Sequence, residues 1–159
     1  IFGEEKGFDY MKGLHANINQ YTKSGSAPIK AAARGENTIG VAFLHGVVKQ
    51  AVSGFPVDGV APCEGTGYEI GSMSIIDGAR NVDEAKMFYD WALSAKAQSE
   101  AWKVKSFQVP SNVSAESSPL APDPASINLI DYDFKLYGSS AERKRLLKKW
   151  DDEVSVLPQ

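Results

Sequence analysis

The apolar run "TIGVAFLH", Thr38–His45, most constrains what this chain can fold into. A short run that is rich in β-branched and apolar residues is typical of a strand buried on both faces of a sheet. Such a strand needs helices packed on either side of it. The run therefore favours an α/β fold with at least partly parallel strands.

The segments around this run alternate in the same way. Periodicity and capping signals predict helices over residues 4–16, 24–34, 46–54, 82–92, 96–104 and 141–154, with Ser139 or Ser140 capping the last one. Further strands are predicted over residues 57–62 and 67–77. A Ser/Pro-rich loop over residues 113–126 precedes a short extended piece. There are too few units for a barrel, so an open α/β architecture is expected.

Composition excludes several classes of protein. The chain has 159 residues, a formal net charge of −3 and a single cysteine, Cys63, so it is not a disulfide scaffold. Positive and negative residues are mixed, and no basic stripe predicts nucleic-acid binding. No apolar run approaches the roughly 20 residues that span a bilayer. The start, "IFGEEKGFDYMKGL", has no initiator Met and no signal peptide, and we interpret it as the interior of a longer protein.

The segment Ser24-Gly25-Ser26 begins the second predicted helical segment, with Ser26 as the expected N-cap. A helix N-terminus presents unpaired N–H groups and the positive end of the macrodipole, which attract phosphate or carboxylate. Gly25 would let an anion approach the backbone, and the two serine hydroxyls could donate to it. Serine is also a favoured helix cap, so the residues alone leave both interpretations open.

Two further residues are candidate ligand contacts. His45 lies at the carboxyl end of the predicted buried strand, the edge where open α/β sheets bind ligands, although it could equally bond to the neighbouring loop. Glu69 lies in an otherwise apolar strand and could accept hydrogen bonds from ligand hydroxyls or pair with a Lys or Arg. His15 is expected to be a surface residue of the first helix.

The sequence gives little support for catalysis or for metal binding. No recognisable signature surrounds Cys63, so a thiolate pair with His45 is not favoured. The sequence has no CxxC, HExxH or EF-hand spacing. We therefore predict no catalytic residue, no metal site and no cofactor.

Three segments carry a resemblance to a known family. They are "GLHANINQYTKSGSAPIKAAARGENTIGVAF", "GYEIGSMSIIDGARNVDEAKMFYDWALSAKAQ" and "FQVPSN". In order and spacing they resemble the periplasmic solute-binding proteins of bacterial ABC importers, in the family labelled ferric-iron or iron-compound binding.

The resemblance implies a fold and a setting. It implies a periplasmic-binding-protein type II-like fold that supplies the second lobe and part of the first, as a C-terminal fragment would. Residues 1–66 would be second-lobe material, residues 67–130 a crossing strand and a returning first-lobe segment, and residues 131–159 a C-terminal helical segment. It implies a non-enzymatic periplasmic protein that delivers its solute to an ABC permease in the inner membrane.

The resemblance also indicates the ligand. Iron-binding members have an adjacent Tyr pair where this chain reads "LHGVVK". A sugar-phosphate-binding branch resembles this chain more: there the Ser-Gly-Ser terminus would hold the phosphate, and His45 and Glu69 would bond the sugar hydroxyls. That branch often has an Asp where this chain has Gly46. We expect a small anionic solute such as a sugar phosphate. The alternatives are an Fe(III) or iron-chelate receptor and an α/β enzyme acting on a phosphate ester.

Overall fold

A computed structural model describes residues 1–158, and helices dominate it. The α-helices are α1 (Glu4–His15), α2 (Ala27–Ala33), α3 (Leu44–Val52), α4 (Val82–Leu93), α5 (Ala95–Glu100), α6 (Phe134–Tyr137) and α7 (Ser140–Glu153). Short 3-10 helices cover Ala101–Val104 and Pro124–Ser126. The predicted helices are confirmed to within a few residues, because their signals are local. Ser139, for example, caps α7 by accepting a hydrogen bond of 3.2 Å from the Glu142 amide.

The predicted α/β fold class is wrong for the described residues. None of the predicted strands 38–45, 57–62 and 67–77 forms a ladder, and the β-pairing within residues 1–158 is a single parallel bridge between Thr66 and Leu129. An apolar run becomes a strand only when a neighbouring segment takes up its N–H and C=O groups. No described segment does so here. The end of the first run, Leu44–His45, belongs instead to α3.

The chain divides into two compact units. Unit 1 comprises Ile1–Lys23, Pro62–Gly67 and the chain from Asn128 onwards, and unit 2 comprises Ser24–Ala61 and Tyr68–Ile127. All the predicted ligand-binding residues belong to unit 2. The assignment of residues 1–66, 67–130 and 131–159 to lobes stays a prediction.

Unit 1 is built on α1 and α7. Arg145 of α7 donates to both carboxylate oxygens of Glu4 on α1, at 2.8 and 2.6 Å, and also pairs with Glu142. The ammonium of Lys149 lies 4.9 Å from the ring centroid of the buried Phe8. Val154, at the end of α7, is completely buried. The two helices are therefore joined by the Arg145–Glu4 ion pair and by the cation–π contact of Lys149 with Phe8.

His15 is buried in unit 1, so its predicted surface position is wrong. Its Nε2 lies 3.0 Å from the Leu157 carbonyl oxygen, which can only accept, so Nε2 carries the proton. Its Nδ1 then accepts from the Tyr21 hydroxyl at 2.9 Å. The Trp150 ring packs edge-to-face against both rings. A partner 142 positions away is not visible in local sequence, which explains the error.

In unit 2, α2 and α3 pack closely. Ile29 and Ala33 of α2 are buried. A Cβ built on Gly46 of α3 would overlap the Cδ1 atom of Ile29, so a larger residue there would require the end of the Ile29 side chain to move. Further along, the Gln98 side chain holds the segment after α5, because it accepts from the Asn112 amide at 2.9 Å and bonds with Ser111.

Candidate functional site

The Ser-Gly-Ser segment lies at the surface of unit 2, immediately before α2. Ser26 occupies the N-cap position, as predicted, but its hydroxyl makes no capping bond to the helix. It lies instead 3.3 Å from the Ser24 hydroxyl, and either oxygen can donate. Ser24, Gly25 and Ser26 are all exposed. The two hydroxyls therefore face solvent side by side at the start of a helix.

The ring of Phe43 lies between this segment and His45. A Cβ built on Gly25 would lie 3.6 Å from the Phe43 ring, which is ordinary van der Waals contact. The same ring stacks on the His45 imidazole, with centroids 5.6 Å apart and an angle of 19° between the planes. Sequence analysis missed Phe43, although an aromatic residue two positions before the candidate histidine was a usable signal.

His45 is the second residue of α3 and is partly buried. Burial lowers the pKa of its imidazole below the usual value, because desolvation penalises the charged form. His45 is therefore a neutral ring at neutral pH. A neutral imidazole presents one donor and one acceptor nitrogen, which matches the donor and acceptor capacity of a hydroxyl group.

This pKa shift predicts acid sensitivity of unit 2. In the unfolded chain the histidine pKa is about 6.5, so the unfolded state binds the proton first as pH falls. The free energy of unfolding should stay level above that pH, fall as pH drops through it, and level off below the folded-state pKa. Urea unfolding between pH 8 and pH 5, followed by Trp91 and Trp102 fluorescence in a Trp150→Phe background, measures this.

The control for that experiment is His45→Gln, which removes the titrating group. This variant should lose the part of the pH dependence that lies near the histidine pKa. The other histidine, His15, belongs to unit 1 and remains in both proteins. Identical pH profiles for the two proteins would contradict the assignment.

Among residues 1–158, no contact joins Glu69 to Ser24, Ser26 or His45. It is exposed, and within the described chain its carboxylate has neither a hydrogen bond nor an ion pair. The alternative of a Lys or Arg partner is therefore not seen either. Its predicted contact with ligand hydroxyls stays a prediction, as do those of Ser24, Gly25, Ser26 and His45.

Cys63 and the acidic side chains are the other candidates for chemistry. Cys63 is exposed and its thiol lies 3.3 Å from the Glu64 carboxylate. Across residues 1–158 no three His, Cys, Asp or Glu side chains are grouped so that they could hold a metal ion. Among the helices described, none combines the length and apolar character needed to cross a membrane.

Comparison with known proteins identifies relatives over nearly the whole chain. No protein-family model matches the sequence. An uncharacterised protein of Haemophilus influenzae is 52% identical over 157 residues, which are 98% of this chain and 45% of that protein.

Two solved structures are also similar. One is the periplasmic binding protein AfuA from Actinobacillus pleuropneumoniae with exogenous fructose-6-phosphate bound, at 54% identity and a TM-score of 0.92 over 98% of this chain and 49% of AfuA. The other is the periplasmic binding protein P5PA, at 41% identity and a TM-score of 0.88 over 96% of this chain and 49% of P5PA. The predicted resemblance to periplasmic binding proteins is thus confirmed, and its iron-family and importer parts stay predictions: this chain is a relative of periplasmic binding proteins and spans about half the length of the relatives it matches.

Proposed function

We propose that this chain contributes to the substrate-binding component of an ABC transporter that captures a sugar phosphate. In this proposal the Ser24–Ser26 segment contacts the phosphate, and His45 and Glu69 contact the sugar hydroxyls. The protein would act without catalysis, in the periplasm, and would deliver its ligand to a permease of the inner membrane. The observation that supports this proposal most directly is the pair of exposed serines, Ser24 and Ser26, whose hydroxyl oxygens lie 3.3 Å apart at the start of α2.

The surroundings of the serines support this ligand class. Hydroxyl groups and helix N-terminal amides are suitable donors to a phosphate group. The neutral His45 ring, joined to the segment through Phe43, suits a neutral hydroxyl better than a second anion. AfuA, 54% identical over its matched half, was solved with fructose-6-phosphate bound. These observations favour a ligand with one anionic end and one hydroxyl-rich end.

Gly46 indicates how this site would differ from the related sites that resemblance suggests. An Asp side chain at position 46 would require the Cδ1 end of the Ile29 side chain to move. Because residue 46 is glycine and offers no carboxylate, we propose that His45 supplies the hydroxyl contact on this side of the site.

Isothermal titration calorimetry tests the proposal. The sample is the longest polypeptide that contains this chain and can be produced. Fructose 6-phosphate should bind, whereas fructose and inorganic phosphate should each bind more weakly. Ser26→Asp should weaken fructose 6-phosphate binding at least about tenfold, because a carboxylate would then face the phosphate. The matched control is Ser117→Asp, an exposed serine elsewhere in unit 2, which should leave binding unchanged.

Two results would contradict this function. One is the absence of binding heat with every sugar phosphate that is tried. The other is an equal loss of affinity in Ser26→Asp and Ser117→Asp, which would show a general charge effect instead of a local one.

A further inference from the structure

Unit 1 contains a pocket that the proposed sugar-phosphate site does not use. Its volume is about 600 Å³, within the range of roughly 300–1,000 Å³ that is usual for small-molecule sites. All its lining residues belong to unit 1. They are His15, Tyr21, Trp150, Ser155 and Leu157. Three of these five side chains are aromatic rings, which therefore form most of the wall.

Hydrogen bonds and ring packing hold these aromatic side chains in place. The imidazole of His15 is only 3% exposed, and its two nitrogens bond to the Tyr21 hydroxyl and the Leu157 carbonyl oxygen. Tyr21 stacks on that imidazole with 17° between the planes. Trp150 stands at 83° to Tyr21, with ring centroids 5.6 Å apart. Tyr21 is nevertheless half exposed, so the pocket is preformed and can be reached from solvent.

The pocket lies at the carboxyl ends of two parallel helices. Ion pairs join Glu4 to Arg145 toward the starts of α1 and α7, and Lys12 to Glu153 toward their ends. The two helices therefore run in the same direction, and α1 ends at the lining residue His15. The carboxyl end of a helix carries roughly half a negative charge from the aligned peptide dipoles. Two such ends side by side favour a cation.

The charged side chains near this end agree with that preference. The last turn of α7 holds three carboxylates and no basic side chain. Two of them, on Asp152 and Glu153, each pair with a lysine at 2.8 Å, whereas Asp151 has no ion pair within the described chain. The lining includes no Lys or Arg among the residues described. A bound cation would therefore meet no like charge on the pocket wall.

The aromatic wall suits an organic cation better than a metal ion. Metal ions need oxygen, nitrogen or sulfur ligands, and residues 1–158 contain no group of three His, Cys, Asp or Glu side chains placed to supply them. Aromatic faces instead attract ammonium groups through the ring quadrupole, and tryptophan is the most effective ring for this contact. We propose that this pocket binds a small organic cation with a methylated ammonium group, whose charge lies against Trp150 and Tyr21.

Choline and its uncharged isostere 3,3-dimethylbutanol test the proposal on the 159-residue chain at fixed ionic strength. The two compounds have nearly the same shape, and only choline carries a charge. Nuclear magnetic resonance of the indole N–H groups locates binding, because Trp150 belongs to unit 1 whereas Trp91 and Trp102 belong to unit 2. Choline should shift the Trp150 signal alone, in a saturable manner. The isostere should bind at least about tenfold more weakly.

Substitution of the tryptophan separates ring electrostatics from apolar contact. Trp150→Leu should weaken choline binding at least about tenfold, because leucine keeps an apolar side chain and loses the quadrupole. Trp150→Phe retains a ring and should lose less affinity. The matched control is Trp91→Leu, at an exposed tryptophan of unit 2, which should leave choline affinity unchanged. Circular dichroism checks folding, and if Trp150→Leu does not fold, the choline and isostere affinities of the unaltered chain decide.

Three results would overturn the proposal. The first is no saturable shift of the Trp150 indole signal with choline. The second is equal affinity for choline and its isostere, which would show an apolar pocket without preference for charge. The third is equal weakening by Trp150→Leu and Trp91→Leu. The samples contain no sugar phosphate, so a negative result here leaves the proposed contacts of Ser24–Ser26 unaffected.

Discussion

Gly40→Ala should destabilise unit 2 by about 2–3 kcal/mol, the upper part of the range for forcing an extra carbon into a packed position. A Cβ at this position would lie 2.5 Å from the Pro28 carbonyl oxygen and 2.8 Å from the Pro28 carbonyl carbon. Both atoms belong to the backbone of the first turn of α2, which cannot rotate away as a flexible side chain could. Either α2 or residues 38–43 must move. The expected result is a lower midpoint of urea unfolding, with faster hydrogen exchange in α2.

The matched control is Gly71→Ala, also in unit 2, where a Cβ would meet nothing within 4 Å. Alanine there restricts the unfolded chain without straining the folded one, so stability should be unchanged or slightly higher. If the Gly40→Ala protein were as stable as the Gly71→Ala protein, the close approach of residue 40 to the Pro28 backbone would not be needed for α2 to pack. The positions of Ser24 and Ser26 at the start of α2 would then not depend on a glycine at residue 40.

Val154→Ala should destabilise unit 1 by about 2 kcal/mol, because it removes two methyl groups from a completely buried site and leaves a cavity. Val154 ends α7, where its amide donates to the Trp150 carbonyl oxygen at 3.0 Å. Loss of its side chain should loosen the end of the helix on which Trp150 packs against His15. Trp150 fluorescence during urea unfolding reports the change.

Val156→Ala provides the matched control, since this valine is 69% exposed two residues further along. It should change the free energy of unfolding by less than about 0.5 kcal/mol, as is usual for surface substitutions. Similar losses of unfolding free energy in the two variants would contradict this prediction, because the buried Val154 would then contribute no more to stability than the exposed Val156.

The sequence was informative where the determinants are local. Helical periodicity predicted α1, and a favoured capping residue predicted the start of α7 at Ser139 or Ser140, of which Ser139 is the cap. It failed where the determinants are distant. The apolar run from Thr38 predicted a strand, but strand formation depends on a partner segment, and none is present among residues 1–158. His15 was misplaced for the same reason, since its partner Leu157 lies at the other end of the chain.

The candidate site shows the same contrast between local features, which sequence predicts, and contacts between distant segments, which it does not. Ser24, Gly25 and Ser26 were predicted as ligand contacts because they lie at the start of a helix; they are exposed, and the ligand contact stays a prediction. Their connection to His45 through Phe43 could not be derived, because it depends on how α2 and α3 pack. Glu69 illustrates the limit: a carboxylate in an apolar run is conspicuous in sequence, yet its environment is decided by neighbouring segments.

Phe43 lies between the two parts of the proposed site. Its ring stacks on the His45 imidazole and lies 3.6 Å from the position that a Cβ on residue 25 would occupy. A phosphate held at Ser24–Ser26 would restrict a ring that also supports the proposed hydroxyl contact of His45. Thermodynamic linkage then requires reciprocity: whatever factor a bound phosphate applies to hydroxyl affinity, a bound hydroxyl applies to phosphate affinity. One aromatic side chain would thereby make the two ends of a sugar phosphate bind cooperatively.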